Sequence, residues 1–251
     1  MSGRKTIDRW LSRMGVCSRE LARTLIAARR VRVDGRVVDD AEQWIDEDAR
    51  VEVDGEVVQR APRVVLMLHK PVGCVTTRKD PDGRPTVYEH LSAAPAWVSA
   101  VGRLDLDTSG LLLFTNDNDL ADLLTDPLSH VAKRYRVEAR PRLTEEQLRQ
   151  LAAGPRLSDG PTRPCVVNKL GDAGPVTRLE LSITEGRNRQ VRRMIAAVGA
   201  KVQKLKRVQL GPLELGALER GAWRALVDEE VRALEDAALA ARRAGGRAGG
   251  R

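Results

Sequence analysis

Ile7, Trp10, Leu11 and Met14 fall at i, i+3, i+4 and i+7, the spacing of one face of a short helix. Thr6 stands where an N-cap belongs and Gly15 where a helix stops. A second helix is predicted after Ser18, with Leu21, Ala22, Leu25 and Ile26 as its buried stripe. Its other face carries Arg19, Arg23, Arg29 and Arg30. The period then changes. VRVDGRVV at 31–38 and VEVDGEVV at 51–58 alternate valines around Asp-Gly, the pattern of a two-residue hairpin. The copies differ in charge, Arg32 and Arg36 in the first against Glu52 and Glu56 in the second. Either a common turn recurs by chance, or only the first hairpin and the arginine-bearing helix face a phosphate backbone.

QRAPRV at 59–64 is polar and carries a proline, so the expected division is a first domain at 1–58 and a linker at 59–63. A second domain is expected over 64–230. It opens on the strand-like VVLMLHKP and continues through KDPDGRPT at 79–86, whose prolines and Asp-Gly forbid regular structure. LLLF at 111–114 is unbroken apolar sequence, as in a strand buried on both faces. Val191, Met194, Ile195 and Val198 form a helical core stripe that ends at Gly199, with Asn188 as the expected N-cap. Residues 231–251 are predicted to be helical and then a disordered basic tail, RRAGGRAGGR.

Charge sharpens this outline. There are 43 Lys and Arg against 35 Asp and Glu, a net +8, which favours a polyanionic partner. No apolar run approaches the length of a membrane span and no signal peptide is recognisable. The three cysteines (Cys17, Cys74, Cys165) and three histidines do not cluster, so neither a disulfide framework nor a metal site is expected. The expected setting is the cytoplasm, with no cofactor, and the expected state a monomer.

Candidate chemistry centres on VGRLDLDTSG at 101–110. Read as a strand, it places Arg103, Asp105 and Asp107 on one face, the two acids roughly 7 Å apart, and Leu104 and Leu106 on the other. An acid–base pair, a nucleophile with a bystander, and a solvated strand face all fit that spacing. Against the acid–base pair, nothing in the sequence marks one acid for a raised pKa. KRYRV at 133–137 carries Tyr135, one of two tyrosines; it either fills core or stacks on a base. The start of the 190s helix bears Arg187, Arg189, Arg192 and Arg193, an anion-binding arrangement.

Two resemblances gather these segments. LSRMGVCSRELARTLIAARRVRVDGRVV resembles the small RNA-binding domain named for ribosomal protein S4, with Arg29-Arg30 where members of that family usually have a glycine just before the arginine and valine. GRLDLDTSGLLLFTND, KRYRV and EGRNRQVRRM, with HKPVGCVTTRKDPDGRPTV ahead of them, resemble the pseudouridine synthases that act on bacterial ribosomal RNA, the last segment pointing toward large-subunit members. The resemblance implies an α+β chain: a small RNA-binding domain, then a catalytic domain on a mainly antiparallel mixed sheet with flanking helices. It implies isomerisation of uridine to pseudouridine in ribosomal RNA, without metal or cofactor, on a flipped base. The non-catalytic alternative is a ribosomal-RNA-binding or assembly protein on the same fold. Asp105 matches the nucleophile, Arg103 a residue that orders the site or replaces the flipped base, Tyr135 the stacking tyrosine, and Arg192 the cation paired with the acid. Asp107 stands where no acid is demanded, so its loss is expected to cost less than about tenfold. No role is assigned to Arg189, where some relatives have histidine. Arg19, Arg23, Arg29, Arg30, Arg32, Lys70, Arg84, Arg187, Asn188 and Gln190 are the expected RNA contacts.

Overall fold

The computed structural model describes residues 4–59 and 61–248, the side chains of 244–248 excepted. It divides into two compact units. One runs to Val65 and takes in Ala94–Ser99 and Thr115–Asn118; the other holds Leu66–Ala93, Ala100–Phe114 and Asp119 onward. The contiguous division read from the sequence had put 94–99 and 115–118 in the second domain. Those segments rejoin the first unit through the fold, which a linear reading does not register.

In the first unit α1 (Ile7–Arg13) and α2 (Arg19–Ala27) pack together, burying Ile7, Trp10, Leu11, Ala22, Leu25 and Ile26. The Ser18 hydroxyl accepts from the Leu21 N–H and caps α2. Leu21 itself is exposed, a correction to the predicted stripe. α2 ends in a left-handed Arg29 (φ 58°), the conformation for which glycine is ordinarily chosen at a helix end. The two hairpins form as predicted. β1 (Val31–Val33) pairs with β2 (Arg36–Val37), and β3 (Val51–Val53) with β4 (Glu56–Val57). Both Asp-Gly turns have two positive φ angles, the type I′ geometry. β1 and β3 then pair with each other, setting Arg32 directly opposite Glu52. The charge difference between the copies is therefore complementary across one four-stranded sheet.

Asp8 is fully buried and was not singled out by sequence. It accepts from the Thr6 hydroxyl at 2.6 Å, from Arg19 at 2.8 Å and from Arg23 at 3.1 Å. Thr6 thus serves Asp8 instead of capping the backbone of α1. Burial alone would raise this carboxyl, but the Thr6 hydroxyl and Arg19 outweigh it and hold the group below its ordinary range.

The second unit is built on a nine-stranded mixed sheet. Its strands are β5 (Val65–Lys70), β6 (Ser109–Thr115), β7 (Lys133–Arg140), β8 (Val166–Ala173), β9 (Val176–Ile183), β10 (Lys201–Leu210) and β11 (Trp223–Ala225), with two short strands beside them. The spatial order is β8-β9-β7-β10-β6-β5-β11. β5 and the LLLF of β6 are buried on both faces, as their unbroken apolar sequence predicts. α3 (Asn118–Thr125) follows β6, α4 (Glu145–Ala153) packs on β8 and α5 (Gln190–Ala197) on β10. The Val191, Met194, Ile195 and Val198 stripe is buried. α6 (Asp228–Ala248) begins before residue 231 and remains helical through 242–248, a correction to the disorder expected from their glycine and arginine content; 249–251 lie outside the described residues. Among the described residues no helix is long and apolar enough to cross a membrane.

β6 and β10 run parallel, paired at Ser109↔Lys206 and Gly110↔Arg207. Gly110 (φ 112°) brings the two backbones so close that a Cβ would overlap the Arg207 carbonyl. Gly110→Ala should cost roughly 3 kcal/mol and lower Tm by about 10 °C in a thermal melt; an unchanged Tm would show that the close approach is absent. For Asp8 the lowered folded-state pKa means that its contribution is present above about pH 4 and lost as pH falls through the folded value. In urea titrations the stability gap between wild type and Asp8→Asn should be wide at pH 7 and shrink toward pH 3. An equal gap at both would refute the buried ion pair.

Candidate active site

The segment before β6 is not the extended strand that alternation suggested. Gly102 is left-handed (φ 71°), and a turn closes where the Thr108 N–H donates to the Asp105 carbonyl at 3.0 Å. Leu104 is buried while Leu106 is exposed, so the two leucines do not share a face. Lys70 is the cause. Its side chain is fully buried, and Nζ donates to the carbonyls of Pro71 (3.0 Å), Asp105 (3.0 Å) and Thr108 (2.9 Å). Three carbonyls converging on one ammonium bend the chain around it. Burial pulls Lys70 below the ordinary lysine range, and the neighbouring Asp105 and Asp107 charges oppose that shift. The segment after Lys70 completes the cradle. Gly73 N–H donates to Leu106 O at 2.8 Å, and the Thr76 hydroxyl donates to Leu104 O at 2.8 Å. Lys70, expected to contact RNA, is instead a buried brace for the loop.

The arginines of the last motif reach this loop, but not in the expected pairing. α5 starts at Gln190 with Arg189, not Asn188, at the N-cap, and Arg189 is left-handed (φ 47°, ψ 34°). A non-glycine residue in that region costs on the order of 1 kcal/mol and persists where its surroundings demand it. From there Arg189 Nη1 lies 3.7 Å from Asp105 Oδ2 and Nη2 3.2 Å from Asp107 Oδ2. Arg192 donates to the Asp107 carbonyl at 2.8 Å and lies 3.1 Å from the Asp107 carboxylate. Arg189 is thus the arginine beside Asp105, and Arg192 is held by Asp107. Burial pulls the Arg192 guanidinium below its ordinary range, and Asp107 pulls it back up. The acid read as dispensable is the group that holds both arginines.

Two expected RNA contacts hold the turn that presents these arginines. Gln190 is buried, accepts from the Arg187 N–H at 3.0 Å and donates to Glu185 at 3.0 Å. Arg187 donates to the carbonyls of Gly160 and Pro161 and pairs with Glu185 at 3.0 Å. Asn188 is exposed.

Asp105 opens on a cleft of 540 Å³ within the second unit. Around it stand Arg103, Tyr135 and Arg189, with Lys133 and Arg207 beside them. β7 alternates as its sequence predicts: Tyr135 and Val137 are buried, and Arg136 faces solvent. Tyr135 is 8% exposed and forms cleft wall, so core packing and presentation to a ligand are compatible. Arg103 is exposed at the rim with no hydrogen-bond partner among the described residues. Arg103, Lys133, Arg163, Arg187, Arg189 and Arg207 outnumber Asp105, Asp126 and Glu185 along the lining, which suits an anionic ligand. Among the described residues no group of three or more His, Cys, Asp or Glu is placed to hold a metal ion.

The remaining expected contacts lie elsewhere. Arg84 is engaged by Asp80 at 2.7 Å and Asp82 at 2.9 Å in the 79–86 turn, away from the cleft lining. In the first unit Arg19 and Arg23 hold Asp8, Arg30 pairs with Asp54, Arg29 lies 3.8 Å from Asp39, and Arg32 donates to the Gly35 carbonyl. Sequence reasoning missed Lys133, Arg163 and Arg207 and gave Arg189 no role. For Lys133 a signal exists, since alternation along a strand puts positions 133 and 135 on one face. For Arg207 none does, because its burial depends on the β6–β10 pairing.

Residues 64–197 match the model of the RNA pseudouridylate synthase family, and residues 5–49 match the S4 domain. The chain is 37% identical to "Ribosomal large subunit pseudouridine synthase B" of Bacillus subtilis, over 91% of this chain and 94% of that one. It is 40% identical to the protein of the same name from Vibrio cholerae, over 92% and 74%. A solved structure described as a pseudouridylate synthase superposes with a TM-score of 0.67 at 31% identity, over 92% of this chain and 99% of that one. With its motifs gathered on one cleft and matches of this extent, the chain belongs to the RNA pseudouridylate synthase family.

Proposed function

We propose that this protein isomerises uridine to pseudouridine in ribosomal RNA of the large subunit, with Asp105 as nucleophile. The observation that carries this reading is the Asp105 carboxylate on the wall of a cleft lined mainly by cations, with Arg189 at 3.7 Å and Tyr135 in the same wall. The large-subunit assignment rests on the names of the relatives from Bacillus subtilis and Vibrio cholerae.

The reaction breaks the C1′–N1 bond of uridine and makes a C1′–C5 bond; C5 gives up its proton and N1 gains one, so composition is unchanged. A base stacked in a helix cannot reach a carboxylate in a cleft, so the target nucleotide flips out, and single-stranded or looped RNA is the cheapest substrate. The Tyr135 ring replaces part of the lost stacking, worth about 1–3 kcal/mol. Arg103 and Arg189 at the rim meet the phosphates or fill the vacated stack. The first unit supplies sequence-tolerant grip through Arg29, Arg32 and the two arginines positioned by Asp8, with affinity that falls as salt rises.

Tritium release from ribosomal RNA labelled at uridine C5 tests the assignment. Wild type should release label, and Asp105→Asn should lose at least about 10³-fold, as removal of a nucleophile does. Equal release by Asp105→Asn would remove Asp105 from its role; no release by wild type would favour a binding or assembly protein. Because Asp107 holds both Arg189 and Arg192, Asp107→Ala should lose about 10²-fold through misplacement of those groups. A rate within about threefold of wild type would restore Asp107 to bystander.

A further inference from the structure

We propose that the buried Arg207 and the half-buried Lys133 form a cationic floor of the cleft that takes up the negative charge developing on the uracil ring as the C1′–N1 bond breaks. This rests on the uridine-isomerase reading and deepens it.

Arg207 is 4% exposed, yet it lines the cleft. Its Nε donates to the Leu111 carbonyl at 2.8 Å, while its Nη2 is buried without a partner among the described residues. Lys133 lines the same cleft, and its Nζ donates to the Val131 carbonyl at 2.9 Å. Neither cation forms a salt bridge to a carboxylate among the described residues. Burial drives Lys133 down to about 8, and the charge of Arg207 pushes the same way, as expected for two like charges sharing a dry site. Two other buried or half-buried charges in this chain are answered, Asp8 by Arg19 and Arg23 and Arg192 by Asp107. A buried cation left unanswered is expensive unless an anion arrives to meet it.

Strand register says where that anion sits. Arg207 lies opposite Tyr135 on β7 and opposite Gly110 on β6, just after the Asp105 loop. Its guanidinium therefore underlies the space between the proposed stacking ring and the proposed nucleophile. A phosphate would be met first by the exposed rim cations Arg103 and Arg189. The group that reaches the floor is the base itself, whose O2 and O4 carry the electron pair released when N1 leaves C1′. Fixed donors aimed at charge that appears only during reaction speed the chemical step more than they tighten binding.

Lys133→Met and Arg207→Gln are to be compared with wild type in single-turnover tritium release from C5-labelled large-subunit ribosomal RNA transcript, with Kd for the same RNA measured by filter binding. Each variant should slow the chemical step about 10²-fold with Kd within about threefold, and Lys133→Arg should recover most of the rate. Because Arg207→Gln also removes the bond to Leu111, Lys133→Met decides if the arginine variant fails to fold. Rates within about threefold of wild type, or a rise in Kd that accounts for the whole loss, would overturn the proposal; the second outcome would mean a phosphate grip. Wild type without tritium release would instead overturn the isomerase reading beneath it.

Discussion

One buried ammonium organises the catalytic unit. Lys70, at the end of a strand buried on both faces, gives its three N–H groups to the carbonyls of Pro71, Asp105 and Thr108. A lysine can sit in so dry a place only because those oxygens replace its water. The converse follows: three backbone carbonyls that would otherwise need water are satisfied by one side chain, and the loop between them has a single shape. That shape turns Asp105 to the cleft and Asp107 to Arg192, with Arg189 reaching both acids. The close approach at Gly110 then fixes β6 against β10 immediately after the loop.

The cations of this arginine-rich chain fall into three groups by what answers them. Some are structural, held by acids or carbonyls: Arg19 and Arg23 by Asp8, Arg30 by Asp54, Arg187 by Glu185 and the Gly160 and Pro161 carbonyls. Some are poised over the acids of the loop, Arg189 in a left-handed conformation and Arg192 in a half-buried one. A third set, Arg103 at the rim and Lys133 and Arg207 in the floor, has no carboxylate partner among the described residues. A net positive charge at the level of sequence says only that a polyanion is favoured; pairing decides which positive groups remain to meet it.

Much of the fold was legible because it rests on local rules. The Asp-Gly hairpins, the α2 stripe without Leu21, the buried LLLF strand and the α5 core face follow from periodicity and turn chemistry. The motifs also gather in space: Asp105, Arg103 and Tyr135 line one cleft. What was not legible depends on long-range partners. Alternation over 102–107 suggests a strand, but Lys70, more than thirty residues earlier, overrides that preference with three hydrogen bonds. Asp8 and Arg207 read as ordinary charged positions until tertiary packing buries them. The pairing of Arg192 with Asp107, and of Arg189 with Asp105, turns on one left-handed residue that no propensity favours.

Amide hydrogen exchange on Lys70→Met, read together with its rate of pseudouridine formation, tests most directly whether this ammonium builds the reactive loop. The predicted result is faster exchange confined to residues 102–110, protection retained in β6 and β10, and a turnover loss approaching that of removing Asp105 itself. Unchanged exchange at the Thr108 amide with wild-type turnover would contradict it.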